Sequence, residues 1–422
     1  MKDINYSDLP KKIALVHEWF SPSSVGGAEQ VVQKIDKILK SQGLKVDLSA
    51  LVDAESCNYK SWLFGRDIQT SFIQKIPFGR NNVQNFLPLL PIAIEQLDFE
   101  DYDLILSSSH LVAKGVLVSP HQLHISYVHT PVRYAWDQMN TYLRLSKLSK
   151  IGLEPFIRLQ LHSLRKWDQL SAARVNKLIA NSRFTALRIS RYWGRDSTVI
   201  HPPVNVGQFS FNQNRGDFYL SLCRLVPNKR VDLVVKAFNS LGLPLIVVGD
   251  GPEKKNLKAI AKSNVKILGF QDQSVVKDLL ERCRAYVYAG IEDFGIAPVE
   301  AMAAGAPVIA FRRGGVLDTV RCFSNCTKLP TGILFENQKT TDLIDAVNWF
   351  EDRKIWNSII PEDLNKWASQ FNDEAFKIKF SKFLSLSWTN HKNSISKSFT
   401  EPLLIDDIPN FGQNMDRNNI SI

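Results

Sequence analysis

Two basic residues have types and positions suited to chemistry on a phosphate-linked substrate. Arg224 and Lys229 follow a predicted strand, Tyr219 to Cys223, in the string LCRLVPNKRVDLVV, where the next helix begins. In an open α/β sheet, ligands bind at the carboxyl ends of the strands, so two fixed cations there can neutralise a departing diphosphate without a metal. Taken alone, Arg and Lys in a loop are more often simply solvated.

Two carboxylates lie in the run EDFGIAPVEAMAAGAPVIA. Glu292 falls in the loop after a predicted strand, Ala285 to Tyr288, and Glu300 falls in the first turns of the helix that Gly295 to Pro298 opens. Proline is tolerated there because the first helical turn has no acceptor for its missing N–H. One carboxylate can therefore reach a sugar in a cleft and the other a ribose. Two ordinary surface glutamates would show the same spacing.

Two further features belong to the first half of the chain. Gly26 and Gly27 stand between a strand, Ile13 to Val16, and a helix, where glycine lets the backbone approach a ligand and free amides attract anions. A plain turn and helix cap is the alternative, and no GxGxxG fingerprint occurs there. His129 follows the strand His124 to Val128 and is placed to contact a sugar at the sheet edge, with a structural histidine as the alternative.

The elements that would position these residues alternate between strand-like runs and helical patterns, which predicts an α/β protein with parallel sheets. A chain of 422 residues exceeds the size of one growing core, and the break HPPVNVGQF at His201 to Phe209 suits a linker. We therefore expect two Rossmann-like, doubly wound domains facing a central cleft. Residues 1–204 and 205–360 form the domains, 361–388 is a packed helix, and 389–422 is a flexible tail.

The remaining predicted elements complete both domains. In the first domain they are strands at 46–51, 104–107, 178–180 and 198–200 and a helix at 28–41; in the second they are strands at 245–248, 265–268 and 308–310 and helices at 231–240 and 274–282.

Charge is distributed unevenly along the chain. The formal net charge is +10, and residues 141–200 contain twelve Lys or Arg against three acidic residues. A nucleic-acid-binding protein would show such an excess, but no recognition element accompanies it. We prefer a peripheral membrane face, in which Arg and Lys meet anionic headgroups and interleaved Leu, Phe and Trp enter the interface.

The cysteine pattern and the lack of long apolar segments in the sequence indicate the cellular compartment. Its five cysteines are an odd number without a CxxC pair, which is typical of free thiols in a reducing compartment. The first residues have no apolar segment of a signal peptide, and no run approaches the length that spans a bilayer. We expect a cytoplasmic protein, on the inner face of the plasma membrane if the basic segment binds lipid.

The motifs occur together, in this order and at these intervals, in the family 4 retaining glycosyltransferases of the GT-B fold, which the chain resembles from about Lys12 to Trp388. The strings SSSHLVAKGV, YVHTPVRYAWD and EDFGIAPVEAMAAGAPVIA look most like the branch containing bacterial O-antigen and exopolysaccharide mannosyltransferases. The resemblance implies two Rossmann-like domains, a donor nucleotide bound mainly by the second, and a final helix that crosses back to the first. Residues 361–388 suit that helix.

The resemblance also implies a role for each motif residue. Arg224 and Lys229 would hold the donor diphosphate, His129 and Glu292 would contact the transferred sugar, and Glu300 would bind the ribose. The other implied donor contacts are Gly26 and Gly27 of the first glycine loop, Gly269 and Phe270 near the base, and the backbone near Phe294, Gly295, Ile296 and Ala297 at the phosphates. A further glycine loop, Gly314, Gly315 and Val316, would border the site.

The family's favoured mechanism is a front-face displacement in which the departing phosphate takes the acceptor's proton, so the resemblance implies neither an enzyme base nor a cofactor. No DxD-like motif is placed at a strand end, which agrees with independence from metal. GDP-mannose is the favoured donor, with UDP-glucose or another nucleotide sugar as the alternative, and the acceptor would be a glycan or a polyprenyl-linked glycan of a surface polysaccharide. A GT-B epimerase or hydrolase and a nucleic-acid-binding protein are the competing functions.

Overall fold

The computed structural model describes residues 10–21, 26–145, 152–211, 215–324 and 329–400. They form two parallel sheets, each with helices on both faces, so the prediction of two doubly wound α/β domains is confirmed. No helix within these ranges has the length and apolar character needed to cross a bilayer.

The first sheet has seven parallel strands in the order β3-β2-β1-β4-β5-β6-β7. Its strands are β1 (Lys12–Phe20), β2 (Lys45–Asp53), β3 (Ile68–Thr70), β4 (Leu104–Ser109), β5 (Leu123–Val128), β6 (Lys177–Ala180) and β7 (Thr198–Val199). The helices are α1 (Gly27–Ser41), α2 (Leu90–Glu95), α3 (Met139–Leu145), α4 (Glu154–Ala173) and α5 (Arg183–Trp193). The central strand β1 is buried from Ile13 onward, as expected for a parallel strand covered on both faces.

The second sheet has six parallel strands in the order β10-β9-β8-β11-β12-β13. Its strands are β8 (Tyr219–Leu222), β9 (Leu245–Val248), β10 (Val265–Gly269), β11 (Ala285–Tyr288), β12 (Val308–Phe311) and β13 (Gly332–Phe335). The helices are α6 (Val231–Leu241), α7 (Lys254–Ile260), α8 (Gln273–Arg282), α9 (Ile296–Ala303), α10 (Val316–Thr319), α11 (Thr340–Asp352), α12 (Ile355–Ser358), α13 (Pro361–Ala368) and α14 (Asp373–Thr400).

The end of the described chain crosses from one domain to the other. Helix α13 packs on α9, and Phe371 lies in the core of the second domain. Immediately afterwards, Phe376 and Phe380 of α14 enter the core of the first domain. The chain passes between the domains twice, first in the linker around Val204 and again after Phe371. The backbone amide of Val204 donates to the Phe371 carbonyl at 2.8 Å, so these two interdomain segments run side by side.

Two expectations for this end are corrected. The segment 361–388 is not one helix, because a 3₁₀ turn at Ser369–Phe371 separates α13 from α14. The predicted flexible tail is helical as far as Thr400, because α14 continues after its apolar part has docked. Residues 401–422 lie outside the described ranges.

A buried ion pair holds the first domain's loops together. Lys114, almost fully buried, donates to Asp168 of α4 at 2.6 Å, and its ammonium lies over the Trp193 ring at 4.9 Å. The second Asp168 oxygen accepts the indole N–H groups of Trp136 and Trp193 at 2.8 and 2.7 Å. Each charged atom therefore has partners, which is the condition under which a buried pair is tolerated.

Candidate active site

The carboxyl edge of the second sheet brings Lys229 and Glu292 into contact. Glu292, in the loop after β11, accepts hydrogen bonds from the Lys229 ammonium and from the Tyr288 hydroxyl, the latter at 2.8 Å. Burial acts to raise the pKa of Glu292, but Lys229 and Tyr288 outweigh it and the net pKa is lowered. Gly290 permits this approach, because a Cβ there would lie 2.9 Å from the Lys229 Cα.

The loop of Glu292 runs directly into the start of α9. Gly295 adopts φ +92° and precedes the helix, whose first amides lack intrahelical acceptors and can bind an anion. The Gly315 amide donates to the Glu292 carbonyl at 2.8 Å, and Gly314 forms a parallel bridge with Glu292. The predicted phosphate-binding backbone at Ile296 and Ala297 therefore lies at a helix start, beside the glycine loop.

The ring of Phe294 has a structural position that the sequence does not reveal. It is buried and packs against His201 and Phe371, with ring centroids 5.4 and 5.6 Å away. His201 lies in the linker between the domains, and Phe371 lies where the chain returns to the first domain. Only the backbone of Phe294 remains for a ligand, and its side chain anchors the loop at the crossing point.

Glu300 lies in the second turn of α9 and is half-buried. Among the described residues, its carboxylate makes no hydrogen bond or ion pair. Burial raises the pKa of Glu300 to about 7, so this carboxyl is only partly ionised at neutral pH. A hydrogen-bond donor from a ligand would favour its ionised form.

The remaining predicted donor residues of this domain lie at the ends of β8 and β10. Arg224 is exposed just after β8, on the edge that carries Lys229. Gly269 ends β10 with φ +80° and accepts from the Gly249 amide at 2.9 Å. Phe270 follows with 74% of its surface exposed, which leaves an aromatic face for a base to stack on.

The carboxyl edge of the first sheet contains His129. Its ring nitrogen Nε2 lies 2.8 Å from the Ser108 hydroxyl, in the neighbouring strand β4. Burial, together with the nearby His110 and His17, lowers the pKa of His129 to about 3. The imidazole is therefore neutral at physiological pH and can donate one hydrogen bond while accepting another.

A second group of titratable residues surrounds this histidine. Glu18 accepts the backbone amides of His110 and Leu111, each at 2.8 Å, while its other oxygen lies 3.0 Å from His110 Nδ1. His17 donates from Nδ1 to the Ser108 carbonyl at 3.0 Å and faces Glu29 at 3.8 Å. Ligand atoms of His17, Glu18 and His110, one from each residue, lie within 4.8 Å of one another, a spacing that would suit a metal ion.

Sequence reasoning missed this group, although it leaves a signal. His17 and Glu18 interrupt an otherwise apolar strand, and charged residues inside a fully buried strand must have partners. One partner, Glu29, comes from the nearby α1, and the other, His110, comes from the loop after β4, more than ninety residues away along the chain. Their identity was therefore not readable without the fold.

The first glycine loop meets the second domain. The Gly26 amide donates to the Glu29 carboxylate at 3.0 Å, which caps α1. A Cβ on Gly27 would lie 2.6 Å from Cδ1 of Ile296, the first residue of α9. The two segments predicted to bind the donor phosphates therefore touch across the cleft, while residues 22–25 of the same loop lie outside the described ranges.

The basic segment 141–200 is not a single charged face. The Arg188 side chain is buried. The guanidinium groups of Arg165 and Arg195 donate hydrogen bonds to backbone carbonyls. Arg158 and Lys166 are exposed on α4. The excess positive charge thus serves internal contacts as well as the surface, and only part of it is available to a membrane.

Comparisons with known proteins agree with this architecture. The family described as "Glycosyltransferase Family 4" matches residues 25–208, and "Glycosyl transferases group 1" matches residues 208–370. A solved Anabaena protein, HepE, in complex with UDP-glucose is similar in fold, with a TM-score of 0.62 and 18% identity over 89% of this chain and 99% of that chain.

Two curated relatives extend the comparison to sequence. N-acetyl-alpha-D-glucosaminyl L-malate synthase of Bacillus anthracis is 30% identical, over 71% of this chain and 84% of the relative. Alpha-1,3/1,6-mannosyltransferase ALG2 of Saccharomyces cerevisiae is 23% identical, over 74% of this chain and 72% of the relative. Other curated relatives are matched over little more than half of their length, 56% and 54% in two cases.

Proposed function

This chain belongs to the family 4 glycosyltransferases of the GT-B fold, and on that premise we propose that it is a retaining mannosyltransferase. It would move mannose from GDP-mannose to a glycan or lipid-linked glycan in surface polysaccharide synthesis, in the cytoplasm. The observation that carries the proposal is the loop after β11, where an ionised Glu292 paired with Lys229 adjoins the helix start of α9.

The chemistry follows from charge and position. Lys229 and Arg224 at the strand ends would stabilise the negative charge that develops on the leaving diphosphate, and the start of α9 would add backbone amides. Glu292 would orient hydroxyls of the sugar, and neutral His129 would donate or accept a hydrogen bond from the opposite domain. These groups bind and orient, and none is required to take the acceptor's proton.

Mannose is supported by relatives that are named mannosyltransferases, among them the yeast enzyme. The relative at 30% identity is named for an N-acetylglucosaminyl group, which keeps a UDP-sugar donor as the competing proposal. Base and sugar choice depend on a few side chains, such as the exposed Phe270, rather than on the fold.

A thermal-shift screen against GDP, UDP, ADP and their common sugars tests the donor, first without metal and then with magnesium. Stabilisation by GDP and GDP-mannose without metal is expected. A preference for UDP compounds would keep the enzyme class and replace the donor. If no nucleotide raised the unfolding temperature, the proposed reaction would be untenable.

The membrane contact is a separate part of the proposal and rests on α4. Phe156, Leu159 and Leu170 are 59%, 59% and 65% exposed, and with Lys166 they share the face opposite the buried Leu161 and Leu164. A solvated helix face has no reason to be this apolar, whereas an anionic bilayer satisfies both the apolar side chains and the lysine.

Co-sedimentation with phosphatidylglycerol vesicles tests this contact. Binding should fall in the double variant Phe156→Ser/Leu159→Ser and persist in Ile378→Ser, which removes a similarly exposed apolar side chain from α14. Binding that is equal for all three proteins, or absent from the wild type in low salt, would exclude α4 as a membrane face.

A further inference from the structure

A buried arginine of the first domain forms an ion pair with a carboxylate of the second domain. Arg188 of α5 has only 6% of its side chain exposed, and its guanidinium pairs with Asp137 on one side and Asp293 on the other. Asp137 belongs to the first domain, but Asp293 belongs to the loop after β11. The contact therefore exists only while the two domains are together.

Two other groups of the first domain meet the same residue. The Arg133 guanidinium lies 3.4 Å from the Asp293 carboxylate, and the Ser182 hydroxyl donates to the Asp293 carbonyl. Asp293 is thus held from across the cleft by both its side chain and its backbone. We call this set of Arg133, Ser182, Arg188 and Asp293 the clasp.

The clasp joins the two loops that contain the predicted sugar contacts. Asp293 directly follows Glu292, and Arg133 lies on the loop that begins with His129. The side chain of Asn181, next to Ser182, donates to the His129 carbonyl at 3.0 Å, so α5 supports both loops. Arg133 also contributes to lowering the pKa of Glu292, which shows that its charge reaches that carboxylate.

Burial makes the clasp sensitive to domain separation. An ion pair in a site shielded from water is stronger than one at the surface, and losing one partner leaves the other charge uncompensated. The second interdomain pair, Arg183 with Asp318 at 2.7 Å, differs because the Arg183 side chain is 71% exposed. It can hold the domains together, but it touches α10 rather than the loop of Glu292.

We propose that Asp293 is a positioning residue, through which domain closure fixes the Glu292 loop opposite His129 so that both face one sugar. This inference rests on the proposed function and adds the residue that couples closure to sugar orientation. Most of the predicted nucleotide contacts, Arg224, Lys229 and Glu300 among them, lie in the second domain. Breaking the clasp should therefore affect the sugar and spare the nucleotide.

Asp293→Asn removes the charge and keeps the side-chain shape. By calorimetry, GDP should bind this variant within about twofold of wild type, while any additional affinity for GDP-mannose over GDP is lost. Donor turnover with water as acceptor should fall at least about tenfold in kcat, and KM for GDP-mannose should rise by no more than the sugar affinity that is lost. If the screen above identifies another donor, the matching nucleotide and nucleotide sugar are used.

Three companion variants separate positioning from general damage. Asp293→Glu keeps the charge and should recover part of kcat. Arg133→Gln removes a partner that is partly exposed, so it should fold normally and lower kcat in the same direction. Arg183→Gln is the matched control, because it removes an exposed guanidinium from the other interdomain pair and should leave kcat within about twofold.

The results separate this inference from the proposed function. A wild-type protein that binds no nucleotide would refute the function itself. With an active wild type, a normal kcat in both Asp293→Asn and Arg133→Gln would overturn the positioning role. Equal weakening of GDP and GDP-mannose would overturn it as well, since Asp293 would then support the whole nucleotide site rather than the sugar.

Discussion

Binding of the nucleotide sugar should release a proton from Glu300. Burial raises the pKa of this carboxyl to about 7, so about half of it is protonated at pH 7. A ribose hydroxyl that donates to Glu300 favours the ionised form and lowers its pKa in the complex. Binding at pH 7 should therefore release about half a proton per site.

The sign of the pH effect follows from the same equilibrium. Because the complex requires the ionised form, the apparent dissociation constant rises as pH falls through the pKa of the free protein. Between pH 8 and pH 6 the affinity should weaken about tenfold, or by about 1.4 kcal/mol. Below pH 6 the loss should continue at about tenfold per pH unit until the carboxyl in the complex also titrates.

Calorimetry of GDP-mannose binding in buffers of different ionisation enthalpy measures the released protons directly. GDP-mannose is the better probe than GDP, whose terminal phosphate itself titrates near pH 6. Glu300→Gln keeps an oxygen acceptor for the ribose but carries no proton to lose, so its binding should be independent of pH. Binding without proton release in the wild type, or an unchanged pH profile in Glu300→Gln, would refute the ribose contact.

The remaining predictions concern charge, stability and metal. Lys229→Ala and Arg224→Ala should each lower kcat by about 10²–10³. The unfolding temperature should stay close to wild type in Arg224→Ala, whose side chain is exposed, and should fall in Lys229→Ala, which leaves Glu292 without its counter-charge. Glu292→Ala should lower kcat through lost sugar orientation, and circular dichroism should show an intact fold. Asp168→Asn should destabilise the protein by about 3–5 kcal/mol in urea, because Lys114 is left buried without its counter-charge. The initial rate in EDTA should match that in magnesium, and a rate restored only by metal would contradict the electrostatic account.

The strands of both domains were predictable because buried parallel strands are continuous apolar runs. Two edge strands were not predicted. The strand β3, with the sequence IQT, has no apolar run, and β13, with the sequence GILF, is apolar and buried but only four residues long. Residues 389–400 were misjudged because their polar composition was interpreted as disorder, whereas α14, which Phe376 and Phe380 anchor in the core, continues through them to Thr400.

The sequence predicted which strand ends carry the candidate site residues, but it did not predict which side chains contact each other. Parallel sheets place every strand's carboxyl end on one edge, so Lys229 and Glu292 could be grouped from their positions alone. The clasp joins Arg133, Arg188 and Asp293, which are far apart in sequence and lie in different domains. Periodicity describes one element at a time, so it contains no information about which loops meet across a cleft.

The two cations at the strand ends are not equivalent before a ligand arrives, which suggests an order of binding. Lys229 is engaged by Glu292, whereas Arg224, at the same edge, is exposed and makes no side-chain ion pair with any described residue. An incoming diphosphate must compete with a carboxylate for Lys229, but no carboxylate of the described residues pairs with Arg224. The phosphates should therefore meet Arg224 first, and their arrival at Lys229 should free Glu292 for the hydroxyls of the sugar. The ion pair with Lys229 thus keeps Glu292 ionised and offsets the charge that would otherwise repel the donor.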